Sequence, residues 1–159
     1  MAFVADPSAF HLSLWKKQLA HVPNSVWEHA GLKTLILADN ELSEVSEQIG
    51  RLKNLRMLDL GHNHLTSVPD ALGDLDGLTD FLYLHDNQLT SLPSSLAQLK
   101  KLRYLNISEN AFATLPKAVC GLENLIELRP GLRGKFVSRW HFIGEVLHGS
   151  ADHVHCNAR

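Results

Sequence analysis

Four asparagines recur along the chain at nearly constant intervals, and this periodicity limits the folds open to the chain more than any other feature. Asn40, Asn63, Asn87 and Asn110 follow one another at spacings of 23, 24 and 23 residues. The segments around them are near copies: "LKTLILADNEL", "LRMLDLGHNHL", "LTDFLYLHDNQL" and "LRYLNISENAF". Repetition at a period of about 20–50 residues is typical of solenoids, in which each unit packs only on its neighbours.

A fifth copy precedes these four. The aliphatic residues that stand 23 positions before Leu35, Leu37, Leu42 and Val45 are Leu12, Leu14, Leu19 and Val22. A first repeat therefore begins near Leu12, with Lys17 where the asparagine would stand.

These residues resemble the leucine-rich repeat family in its 23-residue form, LxxLxLxxNxLxxLPxxLxxL. The resemblance covers about residues 12–128 in five successive copies. It is similar to the intracellular, proline-containing type of bacterial and plant proteins. The resemblance implies an α/β fold, namely a right-handed solenoid with a short parallel β-sheet on its concave face and 3₁₀ or short helical turns on its convex face.

The repeat also supports that shape on physical grounds. Side chains alternate between the two faces of a strand, so in "LDL" Leu58 and Leu60 point inward and Asp59 points outward. One short strand cannot bury its leucines alone, and neighbouring repeats must therefore stack around a shared core. An asparagine amide both donates and accepts hydrogen bonds, so stacked asparagines are predicted to satisfy turn backbone groups, a structural role.

Prolines and one insertion punctuate the pattern. Pro23, Pro69, Pro93 and Pro116 are each predicted at the first position of a short helical turn, and Ser46 in their place is expected to loosen that turn. One extra residue stands between Leu78 and Leu82. Either a bulge near Asp80 or Phe81 pushes an aromatic ring outward, or the extra residue is a tolerated loop insertion.

The two ends depart from the repeat. Residues 1–11 are predicted to form an N-terminal cap, and residues 129–159 a divergent C-terminal cap. A helix is predicted over residues 136–148, because Phe136, Val137, Trp140, Ile143 and Leu147 recur at helical spacing. The alternative is that residues 129–159 are the divergent or truncated end of a longer repeat array.

The outward strand positions supply the candidate binding site on the concave face. Exposed aromatic side chains with a polar rim are typical of protein-binding hot spots, although scattered exposed side chains are also common. The predicted partner-binding residues are Met57, Asp59, Phe81, Tyr83, His85, Tyr104 and Asn106.

No arrangement of residues indicates catalysis. Cys120 has no evident histidine and aspartate around it, and no glycine-rich loop or "HRD" motif is present. The sequence therefore predicts a non-catalytic protein–protein interaction module that needs no cofactor. The alternative is a substrate-recruiting repeat domain of a larger enzyme, linked to a ubiquitin ligase or kinase, here without the catalytic domain.

Charge and composition indicate no other class of partner. A net charge of −2 gives no overall attraction to nucleic acid or to an anionic membrane, and the basic residues Arg129, Arg133, Lys135 and Arg139 are typical of a solvated face. A monomer or a weak end-to-end dimer is expected. Because "MAFVADPSAF" lacks a secretory signal, a cytoplasmic location is predicted, with both cysteines reduced.

A histidine-rich stretch near the C-terminus raises a metal-binding alternative. His148, His153, His155 and Cys156 offer imidazole and thiolate groups, the ligands that zinc prefers. Zinc sites usually hold their ligands on two fixed elements, whereas these residues share one terminal segment. No metal site is therefore predicted.

Overall fold

Six short parallel strands and two antiparallel ones form a single sheet. The computed structural model describes residues 10–131 and the backbone of residues 140–143 and 146–148. Neighbours in the sheet are neighbours in the chain. Each of β1 to β5 pairs with the next strand in parallel, whereas β7 pairs antiparallel with β6 and β8 pairs antiparallel with β7. The strands are β1 (His11–Ser13), β2 (Thr34–Ile36), β3 (Met57–Asp59), β4 (Phe81–Tyr83), β5 (Tyr104–Asn106), β6 (Glu127–Arg129), β7 (Trp140–Ile143) and β8 (Val146–His148).

A 3₁₀ helix of five residues follows each of the first five strands on the opposite side of the core. These helices span Asn24–Glu28, Glu47–Arg51, Asp70–Asp74, Ser94–Gln98 and Lys117–Gly121. The predicted α/β solenoid, with its parallel sheet and short turns, is confirmed.

The prolines stand one residue earlier than predicted. Pro23, Pro69, Pro93 and Pro116 each occupy the N-cap position with extended ψ, and not the first helical position. Each proline carbonyl accepts the first hydrogen bond of its 3₁₀ helix, from the amide three residues later. Ser46 fills the same role in the second repeat, and its hydroxyl accepts a further bond from the amide of Gln48 at 3.2 Å.

Leucines from all the repeats fill one continuous core. The central residue of each strand from β2 to β6 is buried. The leucine that stands shortly before each of these strands is also buried, namely Leu32, Leu55, Leu78, Leu102 and Leu125. Two large aromatic side chains, Trp27 and Phe112, also lie in this core. Burial of this apolar surface is the main driving force for folding, at roughly 25 cal/mol per Å².

Each of the four recurrent asparagines bridges two repeats. The Asn63 Oδ1 accepts from the amide of Leu42 at 3.1 Å, and its Nδ2 donates to the carbonyls of Leu37, Leu60 and Gly61. The other asparagines repeat this arrangement one repeat apart. In the first repeat Lys17 stands in place of the asparagine, so only backbone groups of this repeat join the arrangement. The amide of Lys17 donates to Asn40 Oδ1 at 3.0 Å.

The extra residue of the fourth repeat lies before β4. The register of β3 with β4 and of β4 with β5 is continuous, so no bulge interrupts the strand. The amides of Arg103 and Tyr104 donate to two different carbonyls, those of Thr79 and Asp80. In front of β3, by contrast, the amides of Arg56 and Met57 both donate to the carbonyl of Lys33. The insertion is therefore a loop insertion, and it leaves Phe81 41% exposed.

The helix predicted over residues 136–148 is wrong for the residues described there. Residues 140–143 form β7 and residues 146–148 form β8, and β7 pairs with β6. Short apolar runs do not distinguish helix from strand by spacing alone, and "WHFI" is rich in residues that favour strands. Pairing with β6 also satisfies backbone groups that an edge strand exposes. Residues 1–9, most of the predicted N-terminal cap, lie outside the described residues.

Cys120 differs from its prediction as a reduced thiol, because it is disulfide-bonded. It lies exposed on a convex turn, where a thiol is accessible for oxidation. The chain's other cysteine, Cys156, lies outside the described residues.

Candidate functional site

The outward side chains of the parallel strands form aligned columns on the concave face. Phe81 stands in register with Met57 on one side and Tyr104 on the other, and Tyr83 stands between Asp59 and Asn106. His85 follows two residues after Tyr83. The sheet thus brings the seven predicted partner-binding residues onto neighbouring positions.

Three of these residues form an aromatic patch, defined here as Phe81, Tyr83 and Tyr104. The ring centroids of Tyr83 and Tyr104 lie 5.2 Å apart, and those of Phe81 and Tyr104 lie 5.5 Å apart. The rings of Phe81 and Tyr83 are nearly parallel at 5.9 Å. Such tilted and offset arrangements are the favoured geometries of aromatic pairs. The patch is therefore a fixed apolar surface, part of which faces solvent.

Polar groups border the aromatic patch on the side of β6. The guanidinium of Arg129 lies 5.9 Å from the ring centre of Tyr104, and its Nε donates to Glu127 at 3.1 Å. A groove of about 290 Å³ runs along this border, lined by Asp80, Phe81, Arg103, Tyr104, Ile126 and Glu127. Burial raises the pKa of the Tyr83 phenol, and the nearby Asp59 carboxylate raises it further. The phenol is thus a neutral hydrogen-bonding group at physiological pH.

His85 connects the aromatic patch to the other half of the concave face. Its ring meets Tyr83 edge-on at 5.9 Å and His62 edge-on at 4.8 Å. The imidazole lies directly over Gly61, since a Cβ on that glycine would stand 2.3 Å from the ring. The Nδ1 of His85 is buried without a hydrogen-bond partner. The absence of a side chain at Gly61 therefore determines where this ring lies.

Beyond His85 lies a concavity that we call the acidic hollow. It has a volume of about 440 Å³ and is lined by Ser13, Trp15, Ile36, Ala38, Asp39, Asp59, His62 and His85. Burial raises the pKa of the Asp59 carboxyl, while the hydrogen bond from the amide of Gly61 and the charges of His85 and His62 oppose that shift. Burial lowers the pKa of His85, and the Asp59 charge partly offsets this. A neutral imidazole therefore faces a half-buried carboxyl group.

The lowered pKa of His85 predicts a specific titration. The midpoint of His85 in an NMR titration is expected below the ordinary value of 6.5. Because the unfolded chain then binds the proton more readily, the His85 contribution to stability is lost as the pH falls from about 6.5 through the folded pKa. The pH dependence expected from Asp59 is opposite. Because the pKa of its carboxyl is raised in the folded state, the contribution of Asp59 to stability is lost as the pH rises above 3.8.

The His85→Gln variant is the control for this titration, since it removes the ionisable group and retains a polar side chain. The fall in stability just below pH 6.5 is expected to be smaller in this variant. A His85 midpoint at or above 6.5 would contradict the prediction.

Two predicted site residues expose less side chain than expected. Asn106 is only 7% exposed, and its Oδ1 accepts bonds from the amide and hydroxyl of Ser108. Met57 is half-buried in register with Phe81. Asn106 is therefore a structural support of the surface more than part of it.

Sequence reasoning missed His62 and underrated Trp15. His62 has a positive φ of 52°, and its Nδ1 contacts the carboxylate of Asp86 in the next repeat. Asp39, Asp86 and Glu109 share that left-handed conformation, and each precedes a recurrent asparagine. The recurrence of aspartate, histidine or glutamate before each asparagine was the available signal.

Two further properties of the described part of the chain concern metal ligands and membrane-spanning helices. Between residues 10 and 131, no three potential ligands come together to hold a metal ion. His153, His155 and Cys156 lie outside the described residues, as does the side chain of His148. Among the helices described, none has the length and apolar character needed to cross a bilayer.

Comparison with known proteins identifies the repeat. The family model described as "Leucine rich repeat" matches residues 11–65, 30–89 and 80–129. The chain therefore belongs to the leucine-rich repeat family. No curated protein matches it.

Three solved structures illustrate the likeness. A leucine-rich repeat protein of Leptospira interrogans is 38% identical, with a TM-score of 0.67 over 70% of this chain. Internalin C2 of Listeria monocytogenes is 26% identical, with a TM-score of 0.66 over 75% of this chain. The plant peptide hormone receptor RGFR1, solved in complex with RGF2, is 26% identical, with a TM-score of 0.60 over 68% of this chain. The chain spans only 28%, 50% and 18% of these proteins, respectively.

Proposed function

We propose that this chain is a non-catalytic interaction module that binds another protein on the concave face of its sheet. The observation that carries the proposal is the aromatic patch, in which Phe81 is 41% exposed and rests against two tyrosines. A soluble domain gains little from leaving such rings exposed, whereas aromatic side chains are enriched in the hot spots of protein interfaces.

The surroundings of the patch support the same function. Arg129, Glu127 and Asp59 place charges of both signs around the rings, as in interfaces where an apolar centre is enclosed by a polar rim. The register of the strands fixes the rings relative to one another before any partner arrives. Such pre-organisation lowers the entropic cost of binding. The plant peptide hormone receptor RGFR1 has been solved in complex with RGF2, and this likeness supports a peptide or protein ligand for the present chain.

Substitution of the two tyrosines tests the proposal. The variants Tyr83→Ala and Tyr104→Ala are expected to reduce recovery of the partner in a pull-down read by mass spectrometry. A hot-spot truncation costs about 2 kcal/mol or more, which corresponds to at least a ten-fold loss of affinity. Both side chains are partly exposed, so the fold is expected to survive, as thermal unfolding would check.

The matched controls for this experiment lie on the convex face. Gln98→Ala and Asp74→Ala change exposed residues on the 3₁₀ helices and are expected to leave partner recovery unchanged. Recovery that is the same for the tyrosine variants and the native protein would reject the concave-face site.

A substrate-recruiting role within a larger enzyme is the second candidate function. It rests on the greater length of the matched structures, of which this chain spans between 18% and 50%. A longer natural reading frame with a ubiquitin ligase or kinase domain would support it. The concave-face site would then bind the substrate of that enzyme.

The disulfide of Cys120 opposes the predicted cytoplasmic location, because disulfides persist mainly in oxidising compartments. We propose a monomer or a weak dimer, with neither nucleic acid nor a membrane as partner.

A further inference from the structure

The acidic hollow combines negative charge with an aromatic wall. Asp39 and Asp59 both line it, Trp15 forms one side, and no lysine or arginine is among its lining residues. Trp15 is 51% exposed, and its indole nitrogen donates to Asp39 Oδ2 at 2.6 Å. That hydrogen bond holds the indole beside a carboxylate of the hollow.

Asp59 is the carboxylate of the hollow that forms no ion pair in the described part of the chain. Its Oδ1 accepts one hydrogen bond, from the amide of Gly61 at 2.9 Å, and within residues 10–131 no ion pair involves it. It is half-buried, and repulsion from Asp39 adds to the burial that raises its pKa. A cation placed beside Asp59 would relieve both effects.

Two lining residues of the hollow, Trp15 and Asp39, already contact one cation of this chain. The Lys16 Nζ lies 4.6 Å from the ring centre of Trp15 and 4.0 Å from Asp39 Oδ2. The side chain of Lys16 is 60% exposed, so this ion pair is weak. The pair demonstrates that an ammonium group over the indole and beside the carboxylate is sterically allowed.

His85 adds an imidazole ring to the lining of the hollow. Because burial lowers its pKa, the ring is mainly neutral at physiological pH, and it does not neutralise Asp59. Its Nδ1 is buried over Gly61 and is therefore not available to a side chain that enters the hollow.

We propose that the acidic hollow receives an arginine side chain of the partner protein, with its guanidinium against Asp59 and the indole of Trp15. This inference rests on the proposed function and specifies the chemistry of the partner. A guanidinium suits the hollow better than an ammonium, since its planar fork pairs with a carboxylate and stacks on an aromatic ring at once. The partner therefore places a basic side chain next to the segment that covers the aromatic patch.

An NMR titration with a capped amino acid tests this inference without the partner. Acetyl-arginine amide, added to the ¹⁵N-labelled protein, is expected to shift the amide signals of Asp59, Gly61 and His85 saturably in the millimolar range. The neutral isostere acetyl-citrulline amide is expected to leave them unchanged. An equal response to citrulline, no response to arginine, or shifts confined to other residues would overturn the inference. Equal binding of acetyl-lysine amide would overturn the assignment to arginine.

Two variants separate the hollow from a general charge effect. Asp59→Asn preserves shape and the hydrogen bond from Gly61, and it is expected to weaken arginine binding at least ten-fold. Trp15→Ala, at an exposed position, is expected to weaken it several-fold. Asp74→Asn, on the convex face, is the control with the same change of charge and no expected effect. Unchanged affinity in both hollow variants would reject the site.

Failure of this inference is distinguishable from failure of the proposed function. If arginine amide does not bind while Tyr83→Ala still abolishes partner recovery, only the role of the hollow is rejected. If arginine amide binds but the tyrosine variants recover the partner normally, the concave-face function is rejected at the aromatic patch.

Discussion

The Asn63→Ala variant is expected to lower the free energy of unfolding by about 3 kcal/mol. Its amide is 5% exposed and bridges the second and third repeats. Removal leaves the buried amide of Leu42 without an acceptor, which costs about 1–3 kcal/mol, and adds a small cavity. The hydrogen bonds that are lost connect two repeats, and the stacking of neighbouring repeats provides the stability of a solenoid.

The neighbouring asparagines limit this loss. The carbonyl of Leu37 also accepts from Asn40 Nδ2 at 2.8 Å, and the carbonyl of Leu60 accepts from Asn87 Nδ2 at 3.0 Å. Both carbonyls therefore keep a donor when Asn63 is removed. The unpaired donor of Leu42 is then the principal cost.

Urea unfolding followed by far-ultraviolet circular dichroism measures the effect, with Asn54→Ala as the control. Asn54 is an exposed asparagine with one hydrogen bond, from its Nδ2 to the carbonyl of Ala30 at 2.8 Å. Its removal is expected to change the free energy of unfolding by no more than about 0.5 kcal/mol. Equal destabilisation by the two variants would show that burial and bridging at Asn63 have no special weight.

The periodic part of the fold was predictable because one pattern fixes several levels of structure at once. Alternation at Leu58 and Leu60 gives the inward face, the period of about 23 residues gives the stacking partner, and together they fix the parallel register of Met57 with Phe81. The five 3₁₀ helices followed from the shortness of the segments between strands. Within such a repeat, local and global preferences agree.

The unpredicted features depend on contacts between residues that no repeat pattern relates. β7 was missed because it forms by pairing with β6, a long-range interaction that overrides the apparent helical spacing. The acidic hollow was missed because it needs a glycine in one repeat and a histidine in the next. Gly61 and His85 occupy equivalent positions in successive repeats. The large ring of His85 fits there only because Gly61 has no side chain.

The Gly73→Ala variant is expected to destabilise the protein by about 3 kcal/mol, at the upper end of the range for overpacked sites. Gly73 is buried in the 3₁₀ helix Asp70–Asp74, against the next 3₁₀ helix. An added Cβ would stand 2.2 Å from the carbonyl oxygen of Ser95 and 2.5 Å from its carbonyl carbon. A backbone carbonyl cannot rotate away as a side chain does, so one of the two turns has to move and loosen the stack.

Two other glycines make this prediction a graded test. Gly31 has nothing within 4 Å of an added Cβ, so Gly31→Ala is expected to be neutral or to stabilise the protein by up to about 1 kcal/mol. At Gly50 the nearest atom is the Cβ of Ala71 at 3.0 Å, and Gly50→Ala is expected to have an intermediate effect. Thermal unfolding should therefore rank the midpoints Gly31→Ala, Gly50→Ala and Gly73→Ala from highest to lowest. If the unfolding midpoint of Gly73→Ala equals that of Gly31→Ala, the 3₁₀ helices on the convex face can move apart without loss of stability. The close stacking of these helices would then contribute little to the stability of the solenoid.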